Sequence, residues 1–226
     1  MFERLIKLIG ENNLKLIQSK KILLIGVGGV GSASLEALVR NGFNNIDIVE
    51  YDTIEESNLN RQLITKINNI GNSKAKEAIL RAKEINPSIS INSYEKYLKI
   101  DEINELLDNN YDYIIDACDD IKVKFSLIEK NMKYNSKLIT CLGTAKKIDP
   151  TKLCITTLDK TFNDPLAKIL RKMTKDAHIN QKNVKVVFSS ELPYANNNEG
   201  LGTSSFVPNT AGFLCVNYIF RDIINR

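Results

Sequence analysis

Apolar and polar positions along the chain change period repeatedly, and each change marks an element. An amphipathic stretch over 3–18 predicts a helix, 21–26 a strand, and 30–41 a helix after a cluster of glycines. IDIVE (46–50) predicts a strand. EYDTIEESNLNRQ (50–62) then predicts a loop too rich in Asn, Glu and Asp to pack inside. A helix over 73–85 begins at a cap, Asn72 or Ser73, and stops before Pro87. ISIN reads as a short strand, DEINELLDN as a short helix and YDYIID (111–116) as a buried strand. A helix over 120–134, with Ile121, Phe125, Ile128 and Met132 on its apolar face, leads to the strand KLITCLG (137–143).

The second half continues with LCITTL as a strand, a helix over 164–176 and the strand VKVVFS (184–189). ELPYANNNEGLGTSS (191–205) predicts a mobile loop. The last helix aligns Ala211, Leu214, Cys215, Tyr218 and Ile219 on one stripe. Strands alternating with helices predict an α/β fold: a Rossmann-like, doubly wound, mostly parallel sheet with a C-terminal α/β elaboration. No linker separates the halves, so 1–145 forms the core and 146–226 extends the same domain.

Composition narrows the classes. At 43% hydrophobic and 26% charged over 226 residues, the chain reads as an ordinary soluble domain. No stretch reaches the ~20 apolar residues of a membrane span. The N-terminal helix mixes Glu3 and Glu11 with Arg4 and Lys7, unlike a signal peptide, and predicts a cytoplasmic protein. Cys118, Cys141, Cys154 and Cys215 stand singly, with no CxxC pair for zinc, and read as reduced thiols. A single histidine, His178, excludes His triads and multi-His metal sites.

Chemistry concentrates in the first half. Gly26, Gly28 and Gly31, with Gly29 between, form GxGxxG after a strand and before a helix, the pattern of a phosphate-cradling turn. Glu50 ends the next strand, where an acid grips a ribose hydroxyl. A nicotinamide site needs an apolar wall, yet here Asp52, Asn58, Arg61 and Gln62 follow, then Lys74. Two fixed cations beside amide donors suit a polyphosphate. Asp116, Asp119 and Asp120 end another strand and face the same edge. A carboxylate near phosphates calls for a hard cation such as Mg²⁺, with helix capping the competing role for Asp119 and Asp120. The nucleotide expected is ATP.

Four spaced motifs carry a family resemblance. GVGGVGS (26–32), EYDTIEESNLNRQ (50–62), GNSKA (71–75) and DACDD (116–120) resemble the ThiF/MoeB/ubiquitin-activating superfamily of adenylating enzymes. The resemblance implies an ATP-binding adenylation core at 1–145 that activates a carboxylate with ATP and Mg²⁺. It assigns the ribose to Glu50, the phosphates to Asn58, Arg61 and Lys74, and the metal to Asp119. It also implies a homodimer in which Arg4 reaches the partner's ATP, making Arg4, Arg61, Lys74 and Asp119 the catalytic set. The family's first N-terminal arginine is absent here, and Glu50 replaces the commoner Asp.

KKIDPTKL (146–153), KTFNDPLAKILRK (160–172), VKVVFSSELP (184–193) and GTSSFVPNTAGF (202–213) resemble the branch that dehydrates threonylcarbamoyladenosine in tRNA. That implies adenylation of the threonyl carboxylate followed by ring closure by the tethered carbamoyl group, for which a protein nucleophile is dispensable. Cys118 and Cys141, at strand ends, remain candidates for a covalent role. The alternative is adenylation of the C-terminal glycine of a ubiquitin-like sulfur carrier. The resemblance leaves open whether a monovalent cation orders the second half and whether sulfur-transfer proteins are partners.

Charge agrees with an RNA partner. Residues 164–185 hold six lysines and arginines against two aspartates, a surplus equal to the net charge of +4. Lys168, Arg171, Lys172 and Lys175 fall on one helical face, opposite Leu166, Ile169, Leu170 and Met173, and form the candidate tRNA-binding stripe.

Overall fold

The fold is that of a computed structural model, which describes residues 1–194 and 200–225. Residues 195–199 of the loop predicted to be mobile lie outside the described residues. Near-continuous apolar runs become the central strands, buried on both faces as a parallel sheet requires, while the two edge strands are only partly covered. The strands are β1 (Lys21–Ile25), β2 (Asn45–Val49), β3 (Ser90–Tyr94), β4 (Tyr113–Asp116), β5 (Lys137–Cys141), β6 (Leu153–Thr157) and β7 (Lys185–Ser189). They form one sheet in the order β3-β2-β1-β4-β5-β7-β6. Every neighbouring pair is parallel except β6 with β7, at the edge.

The helices are α1 (Glu3–Ile9), α2 (Glu11–Gln18), α3 (Gly29–Arg40), α4 (Lys74–Ile85), α5 (Ile103–Leu107), α6 (Ile121–Asn131), α7 (Pro165–Asp176) and α8 (Phe206–Ile223). One face of the sheet is covered by α2, α3, α4 and α8, the other by α5, α6 and α7. The doubly wound, mostly parallel α/β architecture predicted above is the one observed. The second half joins this sheet: β7 pairs with β5 and carries β6 outward.

Three expectations need correction. The helix over 3–18 is two helices, because Gly10 adopts φ +81°, a conformation that L side chains resist, and the chain turns there. The loop 50–62 is not wholly outside the core: Glu50, Ile54, Asn58 and Gln62 are buried, with Glu50 and Asn58 accepting from backbone N–H groups. Met132 lies past the end of α6 and is 65% exposed. The rest of that predicted face holds, with Ile128 buried and Ile121 and Phe125 packed half-buried against the core, and Val123, Leu127 and Lys124 are buried beside it. Lys124 must face the sheet to reach Asp116, and its neighbours go in with it.

Candidate nucleotide-binding site

Strand order reverses between β1 and β4, and in open α/β sheets ligands sit at the carboxyl ends of strands at such a point. A cavity of about 640 Å³ opens there. The glycines of its floor divide the work. Gly26 has φ +84°, and a Cβ on it would lie 3.0 Å from the Ala117 carbonyl. A Cβ on Gly31 would sit 1.9 Å from the Gly26 carbonyl oxygen, so that glycine is fixed by helix–turn packing. A Cβ on Gly28 would meet nothing within 4 Å; there the bare backbone faces open cavity. Gly28 also precedes the first turn of α3, which has no side-chain cap, so its leading N–H groups can receive an anion.

Glu50, at the end of β2, braces this turn. Its Oε2 accepts from the Val27 N–H at 2.7 Å, and Oε1 accepts from the N–H groups of Tyr51 and Asp52 at 2.8 and 2.9 Å. Oε1 thereby spends both lone pairs, whereas Oε2 keeps its second, the capacity a ribose hydroxyl would use.

The loop after β2 supplies the facing wall. Asn58 Oδ1 accepts from the Glu55 N–H, fixing a short turn at Glu56–Asn58. The Arg61 guanidinium donates to the carbonyl of Ser57 at 2.7 Å and to Asn60 Oδ1 at 3.0 Å. Lys74 is buried at the start of α4, its ammonium 2.9 Å from Asp52 Oδ2, and Ser73 caps that helix through the Lys76 N–H. Gln62 is 5% exposed, and its amide oxygen is buried without a partner. All four side chains line the cavity. An unmet acceptor in a cavity wall is a place for a ligand donor.

Across the mouth, Asp119 is exposed and lines the cavity, while Asp120 caps α6 by accepting from Lys122 and Val123 N–H. Mg²⁺ takes one or two carboxylates and fills its shell with phosphate and water oxygens. Asp119, unpaired among the described residues beside a phosphate-shaped turn, fits that demand.

The sequence reading missed several contributors. Tyr51 and Tyr97 meet edge to face at the rim, ring centroids 5.3 Å apart, and the Tyr97 hydroxyl donates to Asp120 at 2.5 Å. Beneath the turn, Lys124 and Asp116 form a fully buried pair at 3.0 Å. Burial alone disfavours the Lys124 ammonium, but the adjoining Asp116 carboxylate outweighs it and raises the pKa. Asp116 also accepts from Cys118 Sγ at 3.0 Å; burial, then that carboxylate, pushes the Cys118 thiol well up. A thiol held protonated is a poor nucleophile, which removes support for covalent chemistry at Cys118.

The second half closes the cavity. Pro208 of α8 touches the position a Gly29 Cβ would take, at 3.2 Å. The Asn209 amide, with its nitrogen toward the turn, donates to the carbonyls of Arg61 (2.8 Å) and Gly29 (3.0 Å). Asp164 caps α7 through the Ala167 N–H, accepts from the Gly143 N–H at 3.0 Å, and lies 3.6 Å from the buried ammonium of Lys147. A lysine among the charges of a KKIDP string gives no hint of such burial; the Asp164-Pro165 pair at a helix start is the signal that was readable.

Gly26, Gly28, Gly29, Glu50, Asp52 and Asp119 all border the cavity, but Gly31, packed behind the turn, and Arg4, exposed on α1, do not. The α7 stripe also lies off the cavity. Its composition needs correction, since Ile169 is 52% exposed and the buried face is Ala167, Leu170 and Thr174. Arg171 is half-buried and donates to Thr161, while Lys168, Lys172 and Lys175 are exposed. Asp164 capping sets the helix phase and turns position 169 outward.

The fold and cavity define a nucleotide-binding protein of the doubly wound α/β class. The chain belongs to the ThiF family, whose pattern matches residues 2–180. The tRNA threonylcarbamoyladenosine dehydratase of Bacillus subtilis is 31% identical over 233 aligned positions, covering 96% of this chain and 91% of the relative. The Escherichia coli enzyme of that name, TcdA, crystallised with ATP, superposes with a TM-score of 0.94 at 32% identity, covering 99% of this chain and 93% of that one. Its complex with AMP gives 0.93 over 97% and 92%. Among the described residues no helix is long and apolar enough to cross a membrane.

Proposed function

We propose that this chain is an ATP-dependent dehydratase of N6-threonylcarbamoyladenosine in tRNA. The likeness to enzymes of that name supports the reading because it runs through both halves, 96% of the chain, including the segments that close the cavity. In the reaction proposed, the threonyl carboxylate oxygen bonds to the α-phosphorus of ATP and pyrophosphate leaves. The carbamoyl group of the same nucleoside then attacks the acyl carbon, and AMP departs with the oxygen that hydrolysis of ATP would otherwise take from water. Both attackers belong to the substrate, so the protein's task is to hold and to stabilise charge.

The roles follow from position. Gly28 and the start of α3 receive phosphate oxygens, and Glu50 accepts from the ribose. Arg61 and Lys74 balance charge on the α-phosphate and the departing pyrophosphate, with Asn58 and Gln62 adding polar contacts. Lys74 is held ready by Asp52. Asp119 would hold Mg²⁺, which would supply Lewis-acid stabilisation of developing phosphate charge. Arg4, remote from its own cavity, serves the partner's in a homodimer. Lys168, Lys172 and Lys175 contact tRNA; Arg171 supports them by anchoring α7 to Thr161.

The test is direct. With ATP, Mg²⁺ and tRNA carrying the open modification, AMP should appear in step with nucleosides one water lighter by mass spectrometry. AMP release triggered by a ubiquitin-like carrier protein, with the nucleoside unchanged, would replace this reading with carrier activation.

A further inference from the structure

A second cavity lies at the opposite end of the sheet, about 550 Å³ in volume, between the end of α6, the starts of β5 and β7, and the turn at Gln181–Asn183. Lys137, Lys182 and Lys185 stand on its walls, and no Asp or Glu among the described residues lines it. Its floor is apolar: Ile128, Leu138 and Val184. Lys137 is neutralised, 2.7 Å from Asp222, which also accepts from the Tyr113 hydroxyl. Lys182 and Lys185 have no carboxylate partner among the described residues. Asn180 uses its oxygen to cap the Lys182 N–H, leaving its NH₂ as a donor. Two ammonium groups without a carboxylate partner among the described residues, beside a spare donor and with Asp222 engaged by Lys137, make a site for phosphate oxygens.

We infer that this groove binds the phosphodiester backbone of the RNA substrate, an inference that rests on the function proposed above. What selects RNA is the path between the two cavities. Leu166, in the first turn of α7, lines the ATP cavity, and Asp164 ties that end to Gly143. From there α7 runs roughly 18 Å down the outer face, with Lys168, Lys172 and Lys175 outward. The chain then passes directly into the groove at Asn180, Lys182 and Lys185. The row of cations thus begins where the reacting base must sit and ends at the far edge of the sheet. A polymer that presents one base for chemistry and a long anionic backbone matches that layout.

The experiment uses the full chain with Lys182→Glu and Lys185→Glu together, and Lys83→Glu on α4, across the sheet, as the control. Binding of modified tRNA is followed by anisotropy over a salt series, and binding of a non-hydrolysable ATP analogue by calorimetry. Losing two phosphate contacts should weaken tRNA binding on the order of tenfold or more near 0.15 M salt, and flatten the log–log salt slope by about 1.4 to 1.8. Melting temperature and ATP-analogue affinity should hold, and Lys182→Gln with Lys185→Gln should act in the same direction. A groove variant that binds tRNA like wild type, or a control that loses as much, overturns the inference. Failure of the wild-type protein to bind tRNA would instead sink the proposed function.

Discussion

Lys124→Met is the sharpest test of how the floor of the cavity is built. Methionine keeps the length and apolar stem of lysine and deletes the charge. The pair it breaks is 1% and 0% exposed, with 3.0 Å between Nζ and Oδ1. Removing one partner strands the Asp116 carboxylate in a site closed to water, which costs about 3–5 kcal/mol. In a chain of this size each kcal/mol moves the melting temperature by roughly 2–4 °C, so a fall of about 10 °C is expected. Asp116→Asn should cost a similar amount by stranding the ammonium. The double variant should lie nearer wild type than either single, because Asp116 Oδ2 is buried without a partner and the intact pair is itself incompletely satisfied. Thermal and urea denaturation of all four proteins closes the cycle. A drop below about 2 °C for Lys124→Met, or additive single effects, would show that the pair is hydrated or exchangeable and that the buried-charge reasoning is wrong.

Further outcomes can be stated briefly. Gly28→Ala should keep the wild-type melting temperature while weakening ATP-analogue binding in calorimetry; Gly31→Ala, whose Cβ would meet the Gly26 carbonyl at 1.9 Å, should lower the melting temperature first. Equal stability of the two would refute the division of labour. Lys74→Met should slow AMP formation by about 2–4 kcal/mol of barrier, roughly thirtyfold to a thousandfold, in single-turnover assays. Glu36, buried between α3 and α4, is pulled by burial toward a higher pKa, but hydrogen bonds from Arg81 and Arg40 outweigh this and lower it from 4.5. Its contribution is therefore present above pH 4.5 and lost as pH falls through the lowered value. Glu36→Gln should cost about 1–2 kcal/mol at pH 7 and progressively less in acid, a convergence that urea titrations at both pH values would expose. Parallel pH curves would remove the ion pair from the account.

Much of this architecture was legible because parallel strands must be apolar throughout and because glycine spacing is read directly from the chain. The bends were less so. Gly10 looks like any helical glycine until its positive φ is seen, and nothing local distinguishes Met132, outside, from Leu127, inside. The polar loop misled for a definite reason: Asn58 and Gln62 are hydrophilic yet buried, since a cavity wall needs polar groups that a core does not. Most motif residues drawn from 26–75, with Asp119 and Asp120, line one cavity, while Gly31 and Asp116 lie packed behind it. Lys147 and Asn209 could not be found from period or motif, because each depends on a contact far along the chain, and Lys124, whose partner Asp116 is only eight residues away, because a lysine on a helix reads as solvated.

Pro208 and Asn209 press on the glycine turn, and a Cβ on Gly212 would lie 2.3 Å from the Val30 carbonyl, so α8 seats tightly on α3. The phosphate cradle is thus completed by a helix synthesised some 180 residues after the cradle itself. A ribosome-bound polypeptide that had already made every nucleotide motif would still lack the strut that holds them in register. Translation order therefore sets assembly order: the turn gains its packed neighbour only once α8 has been made.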